Sequence, residues 1–112
     1  MFNLFGKKNT NKKLDLNKEI GEDIIQLQLI FKGDVQGVGF RWEAYHIAQK
    51  LRLVGSVENL VNGHVLAIVQ GPRYKVDYFL QYMTSIPRAN VVNVDKKEQA
   101  VDEKMTDFRI RY

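Results

Sequence analysis

The sequence contains no cysteine, only two prolines and two histidines among its 112 residues. Without cysteine the chain can form neither a disulfide nor a thiolate metal site, and a reducing, cytoplasmic location is expected. His46 and His64 are too far apart in the sequence to suggest a metal site, and both are expected to be solvated. We therefore expect neither a bound metal nor a cofactor.

Charge of one sign is also not concentrated anywhere in the body of the chain. The formal net charge is +4, but lysines and arginines are interspersed with acids, which predicts a solvated, mildly basic surface rather than a nucleic-acid partner. A length of 112 residues with 45% hydrophobic content is enough for one core and too little for two ordinary domains. We expect one compact domain, acting as a monomer.

Residues 1–23 differ in composition from the rest. The stretch "MFNLFGKKNTNKK" has four lysines and no acid, and it lacks the continuous apolar run of a signal peptide or a membrane span. We expect residues 1–23 to be a flexible extension. The folded domain is expected to occupy residues 24–112.

From residue 24 onward the apolar residues are periodic. In "IIQLQLIFK" every odd position from 25 to 31 is apolar, which is the period of a half-buried strand. In "RWEAYHIAQKL" the apolar residues follow the i, i+3, i+4, i+7 spacing of an amphipathic helix: Ala44, Ile47, Ala48 and Leu51. A strand followed by a helix is predicted.

The remaining elements complete a known order. "GSVENLVNGHVLAIVQG" predicts a hairpin that turns tightly at Asn62 and Gly63, and "GPRYKVDYFLQYMTS" predicts a helix with Pro72 in its first position. "ANVVNVDKK" and "DFRIRY" predict two more strands. The order βαββαβ plus a short C-terminal strand predicts an α+β, ferredoxin-like two-layer sandwich, with two helices on one face of an antiparallel sheet.

The stretch "GDVQGVGFR", residues 33 to 41, connects the first strand to the first helix. Backbone N–H groups of such a turn can converge on one point, the helix start adds further N–H groups, and Arg41 could bind two phosphate oxygens. The glycine spacing fits neither the dinucleotide-binding fingerprint nor the nucleotide P-loop. The pattern alone leaves a phosphate-binding loop and a simple tight turn equally open.

The same residues resemble a known family. "GDVQGVGFR" is similar to the first signature of the acylphosphatase family, and "GSVENLVNGHVLAIVQG" is similar to its second, at the family's separation. The "GP" before the second helix, "IPRANV" and "FRIRY" extend the resemblance over residues 24–112. It implies a small enzyme that hydrolyses carboxylic acyl phosphates without metal or cofactor and releases inorganic phosphate, which also inhibits it.

The resemblance also implies the site residues. Arg41 corresponds to the family's phosphate-binding arginine, and Asn59 corresponds to the asparagine that holds the attacking water. The phosphate-binding loop consists of Asp34, Val35, Gln36, Gly37, Val38, Gly39 and Phe40. Trp42 could line the substrate entrance, although a packing or surface role is the simpler interpretation.

Three residues depart from the family's pattern. Asp34 and Glu58 are acidic where the family often has neutral or basic residues, and Ser56 replaces an aromatic residue. Two carboxylates near a phosphate site oppose a dianion, although salt screens exposed charges. Weaker substrate binding, rather than loss of the chemistry, is the expected consequence.

Two alternatives belong to other functional classes. RNA-recognition modules share the topology, but they stack bases on aromatic side chains of the central strands, and "HVLAIVQ" contains none. A second alternative is an acylphosphatase-like module that handles carbamoyl phosphate together with a larger partner, or that binds without catalysing a reaction.

Overall fold

The computed structural model describes residues 23–112 and contains five strands and two helices. In chain order these are β1 (Ile24–Asp34), α1 (Phe40–Leu51), β2 (Val54–Asn59), β3 (Val65–Pro72), α2 (Arg73–Met83), β4 (Asn90–Gln99) and β5 (Phe108–Arg111). The residues predicted to be flexible, 1–23, lie outside the described part except for Asp23.

The five strands form one sheet in the order β4-β1-β3-β2-β5. The pairs β1–β3, β1–β4 and β2–β3 are antiparallel, as expected for a hairpin set into a split βαβ unit. The ferredoxin-like α+β fold predicted from the sequence is confirmed. The sheet is nevertheless mixed rather than antiparallel throughout, because β5 runs parallel to β2 and pairs Phe108 with Gly55 and Ile110 with Val57.

The core lies between the sheet and the two helices. The odd positions of β1 point into it and the predicted period of two is observed, with Leu29 and Phe31 at most 1% exposed. Burying each such side chain stabilises the fold by about 1.5–3 kcal/mol. The helices also contribute apolar residues to the core: Ala44, Ile47 and Ala48 from α1, with Val76, Phe79 and Met83 from α2. The spacing predicted the three residues of α1, whereas Leu51, predicted with them, is only half-buried at the edge of the core.

The opposite face of the sheet is partly covered by residues 100–107, the connection from β4 to β5. Two glutamines buried there bond to each other, with 2.9 Å from Nε2 of Gln26 to Oε1 of Gln70. Gln70 also exchanges two hydrogen bonds with the backbone of Asp102. Buried amides need such partners, so this side-chain network fixes the connection that leads into β5.

Two local predictions differ from the structure. Pro72 does not occupy the first position of α2 but precedes it as the N-cap, with an extended ψ of 138°, and it also ends β3. The hairpin turn is wider than a two-residue turn, because residues 60–64 separate the strands. Gly63 takes a φ of 95°, whereas the Asn62 side chain accepts a hydrogen bond from the His64 N–H instead.

Asp23 is attached to the domain. Its carbonyl accepts a bond from the Arg73 N–H at 2.8 Å, and its carboxylate pairs with the Arg73 guanidinium, which also reaches Glu98. Neither helix of residues 23–112 is long and apolar enough to cross a membrane.

Candidate active site

A cavity of about 150 Å³ opens where β1 ends, α1 begins and the last strand terminates. Its walls come from three parts of the chain that are far apart in sequence: residues 35–42, Asn59 and residues 110–112. The lining residues are Val35, Gly37, Gly39, Phe40, Arg41, Trp42, Asn59, Ile110 and Tyr112. The cavity therefore brings the two predicted catalytic residues, Arg41 and Asn59, to one place.

The turn between β1 and α1 is shaped by two glycines. Gly37 and Gly39 both have a φ of 77°, in the left-handed region that a side chain disfavours. Gly39 is the N-cap of α1, and its carbonyl accepts the first helical bond from the Glu43 N–H at 3.0 Å. None of the hydrogen bonds among residues 23–112 uses the N–H groups of residues 36–39. Together with the first N–H groups of the helix, these donors can serve a bound anion.

Two buried side chains hold the ends of this turn. Val35 is fully buried, and Phe40 is 2% exposed with its ring 5.1 Å from that of Phe31 in an edge-on contact. Both residues were predicted as part of the phosphate-binding loop. Their side chains belong to the core, so they anchor the turn to it at both ends.

Gln36 connects the turn to the β2–β3 hairpin. Its side-chain amide donates to the carbonyls of Leu60 and His64, both at 2.8 Å. Those two residues also bond to each other across the hairpin, from the Leu60 N–H to the His64 carbonyl. Because Asn59 immediately precedes this bonded pair, Gln36 fixes the hairpin end relative to the turn. Sequence reasoning assigned Gln36 to the loop and missed this side-chain link.

Arg41 is oriented by the C-terminus. Its Nη1 donates to the Arg111 carbonyl at 3.1 Å, and the centre of its guanidinium lies 4.9 Å from the centroid of the Tyr112 ring. Among residues 23–112, one donor of the guanidinium is thus used to hold it in place, and the other donors remain for a ligand. The contribution of Tyr112 was not foreseen, since the alternating pattern predicted a strand but not which neighbour it pairs with.

Asn59 and Trp42 also line the cavity. The hydrogen bonds around the hairpin turn are made by Asn62 and Gln36, so the exposed Asn59 side chain does not perform that structural role. Trp42 lines the cavity, is 56% exposed, and stacks on Tyr45 with 5.6 Å between ring centroids. His46 packs edge-on against the same indole and is exposed, as predicted.

Glu43, in the first turn of α1, forms a polar cluster with Tyr82 of α2 and Arg88 of the connection from α2 to β4. It pairs with Nη2 of Arg88 and accepts a hydrogen bond from the Tyr82 hydroxyl at 3.0 Å. The hydrogen bond from Arg88, followed by that from Tyr82, lowers the pKa of Glu43 below its usual value. The hydrogen bond between Tyr82 and Glu43 also raises the pKa of the Tyr82 hydroxyl. The carboxylate is therefore ionised and paired at neutral pH.

Several predicted residues do not line the cavity. Asp34, Gln36 and Val38 belong to the predicted loop but are absent from the lining, and Glu58 and Ser56 are absent as well. The carboxylates of Asp34 and Glu58, which differ from the family's pattern, therefore act on the cavity only from a distance, where water and salt screen them. Within residues 23–112, no group of three or more His, Asp or Glu side chains could hold a metal ion.

The fold and the site together define a class of protein. It is a small α+β sandwich in which the strand-to-helix turn, an arginine and an asparagine share one cavity. The acylphosphatase family model matches residues 27–110. The acylphosphatase of Vibrio parahaemolyticus serotype O3:K6 (strain RIMD 2210633) is 37% identical over 83 residues, which are 74% of this chain and 92% of that protein. The chain belongs to the acylphosphatase family, and the predicted enzyme class is confirmed.

Solved structures agree with the sequence comparison. The crystal structure of acylphosphatase from Bacillus subtilis matches 79% of this chain and 99% of its own, with a TM-score of 0.75 at 31% identity. Full-length HypF, in its phosphate- and nucleotide-bound form, matches 81% of this chain with a TM-score of 0.71 at 27% identity. The match covers 12% of the HypF chain, so the fold also occurs as one part of a much larger protein.

The lowered pKa of Glu43 predicts a pH-dependent contribution to stability. Because the native pKa lies below the unfolded one, the contribution is complete above the usual value of 4.5 and is lost as the pH falls through the native value. We expect Glu43→Gln to lower the unfolding free energy at pH 7 by about 1 kcal/mol, the scale of a hydrogen-bonded, partly exposed ion pair. The difference in unfolding free energy between Glu43→Gln and the wild type should become smaller as the pH drops below 4.5.

Thermal or urea unfolding from pH 3 to pH 8 measures this difference. Glu103→Gln, in the exposed connection from β4 to β5, removes the same charge outside the cluster and serves as the control. A Glu43→Gln deficit that persisted unchanged at the acidic end would contradict the ionic origin.

Proposed function

We propose that this protein hydrolyses carboxylic acyl phosphates to a carboxylate and inorganic phosphate. The observation that carries the proposal is the convergence of Arg41, Asn59 and the glycine turn on one cavity, in a chain that the family model matches over residues 27–110. Arg41 and the N–H groups of residues 36–40 bind the phosphoryl oxygens, and Asn59 positions water. The Val35 N–H of the predicted loop is not among these donors, because it bonds to the Gly33 carbonyl at 3.1 Å. The monomeric state and the cytoplasmic location stay predictions.

The chemistry requires little more than these groups. Water oxygen bonds to phosphorus while the bond from phosphorus to the carboxyl oxygen breaks, and the leaving carboxylate takes the bonding electron pair. The acid of that leaving group has a pKa of roughly 4, so it departs at neutral pH without a proton donor. The enzyme's part is to hold the phosphoryl group, balance its charge and align the water.

The proton of the attacking water goes to a phosphoryl oxygen of the substrate. An asparagine amide is too weak a base to take it, which leaves Asn59 the role of orienting the water by hydrogen bonds. The products of acetyl phosphate are then acetate and dihydrogen phosphate, and no base on the protein is consumed. This accounts for a cavity whose lining, among residues 23–112, includes no Asp or Glu side chain.

Carbamoyl phosphate is a second candidate substrate. It corresponds to the second alternative raised by the sequence, an acylphosphatase-like module that acts with a larger partner, and the match to 12% of the HypF chain supports the view that this fold can serve as such a module. Carbamoyl phosphate is also a mixed anhydride of phosphate, so the same cavity could accept its phosphoryl group. It belongs in the same assay as simple acyl phosphates.

The reaction class is tested by assaying acetyl phosphate and carbamoyl phosphate beside a phosphate monoester. We expect turnover of an acyl phosphate, an inert monoester because its alkoxide leaving group needs an acid, and full activity with EDTA present. Activity lost with EDTA and restored by a divalent ion would overturn the metal-independent mechanism. Turnover of carbamoyl phosphate alone would favour the second candidate.

Arg41→Ala is expected to abolish measurable hydrolysis while the domain stays folded. Arg41→Lys should not restore it, because an ammonium group cannot hold the Arg111 carbonyl and two phosphoryl oxygens with one planar fork. The control is Arg109→Ala, which removes an exposed guanidinium of β5 that pairs with Asp107. Near-normal turnover by Arg41→Ala would remove Arg41 from the phosphate site.

Asn59→Ala is expected to lower kcat by about a hundredfold or more, the scale of losing one well-placed polar group. Inhibition by inorganic phosphate should stay nearly unchanged, because Asn59 acts on water rather than on the anion. Asn62→Ala is the matched control, since Asn62 lies in the same hairpin but bonds to the backbone of His64. Loss of phosphate inhibition in Asn59→Ala would instead assign Asn59 to the anion.

A further inference from the structure

Arg88 reaches the outer side of the phosphate-binding turn from the connection between α2 and β4. Its Nε donates to the Val38 carbonyl at 3.2 Å, and its Nη2 pairs with the Glu43 carboxylate. Neither Arg88 nor Glu43 lines the cavity. The connection is itself anchored, since Ile86 is 7% exposed and its carbonyl accepts a bond from the Ala89 N–H.

The Arg88 contact determines how one peptide group of the turn is oriented. No peptide bond in residues 23–112 is cis, so the carbonyl of Val38 and the N–H of Gly39 point in opposite directions. Arg88 holds that carbonyl on the side away from the cavity, whereas Gly39 lines the cavity. The Gly39 N–H is therefore directed toward the position of the anion.

This orientation needs an external restraint. Residues 37 and 39 are glycines, which have access to more backbone conformations than any other residue, so the intervening peptide groups could rotate. Nη2 of Arg88 lies 3.7 Å from the point that a Cβ of Gly39 would occupy, which keeps the guanidinium close against the turn. The planar fork contacts two groups at once, and a second restraint on Glu43 comes from the Tyr82 hydroxyl.

We propose that Arg88, held by the Glu43 carboxylate that Tyr82 holds in turn, is a positioning residue that preorganises the Gly39 N–H for the phosphoryl group. The inference rests on the proposed function, because it assumes that the cavity binds phosphate. Arg88 itself does not touch the ligand. Its effect is to keep one backbone donor aimed before the ligand arrives, so that binding does not have to order the turn.

Binding of inorganic phosphate to the full-length protein, measured by titration calorimetry, tests this without requiring turnover. We expect Arg88→Ala and Arg88→Met to raise the Kd by about three- to tenfold, the scale of a misaligned hydrogen bond to a charged group. Arg88→Met retains an unbranched stem for packing. Arg88→Lys should recover only part of the affinity, because a single ammonium group cannot reproduce both directed contacts.

Arg73→Ala is the matched control. Like Arg88, Arg73 is an exposed arginine that contacts two groups at once. Its partners are the carboxylates of Asp23 and Glu98, and none of these three residues lines the cavity. It should lose thermal stability without a change in the phosphate Kd. A purely structural role for Arg88 would give the same pattern in the Arg88 variants, and that result would overturn the proposal.

Glu43→Ala separates positioning from simple charge. Removing a negative charge near an anion site should strengthen phosphate binding by Coulomb attraction alone, whereas loss of the group that holds Arg88 should weaken it. We expect weaker binding. Two results would reject the inference: tighter phosphate binding by Glu43→Ala, or a normal phosphate Kd in the Arg88 variants. If the wild-type protein hydrolyses acyl phosphates in the same experiments, the proposed function stays intact. A wild-type protein that neither binds phosphate nor hydrolyses acyl phosphates rejects both.

Discussion

The proposed phosphate site depends on a constraint that applies to any anion-binding turn: backbone N–H groups that are to bind a ligand cannot also hold the turn together. Among residues 23–112 the N–H groups of residues 36–39 make no bond to the protein, so order has to come from other atoms. It comes from two buried side chains, from the Gln36 amide and from the Val38 carbonyl. All the restraints use side chains or carbonyls, and the donors stay available.

The elements of the fold could be predicted from the sequence because they are encoded locally. The odd positions of β1 and the 3.6-residue spacing of α1 each lie within one short segment, and burial follows them directly. The turn and its arginine were found by motif. Asn59 could be found only through the family resemblance, because a single asparagine beside a hairpin has ordinary structural roles.

The contacts that orient the site could not be predicted in this way. Glu43 and Arg88 are 45 residues apart, Gln36 and His64 are 28 apart, and Arg41 and Arg111 are 70 apart. Each of these pairs depends on how helices and strands pack, which periodicity does not specify. Pro72 illustrates the same limit at short range, since its fixed φ suits both the first helical position and the end of a strand.

The parallel pairing of β5 explains why Ile110 and Tyr112 share a cavity with Asn59 and the start of α1. In a parallel pair both strands run in one direction, so the C-terminal ends of β2 and β5 lie side by side at the same end of the sheet. Asn59 ends β2, and Tyr112 follows β5, which brings both beside the start of α1. An antiparallel β5 would carry Tyr112 and the Arg111 carbonyl to the opposite end of the sheet, and Arg41 would lose the contact that orients it. The direction of a four-residue strand therefore determines whether the arginine of the first helix faces the asparagine of the second strand.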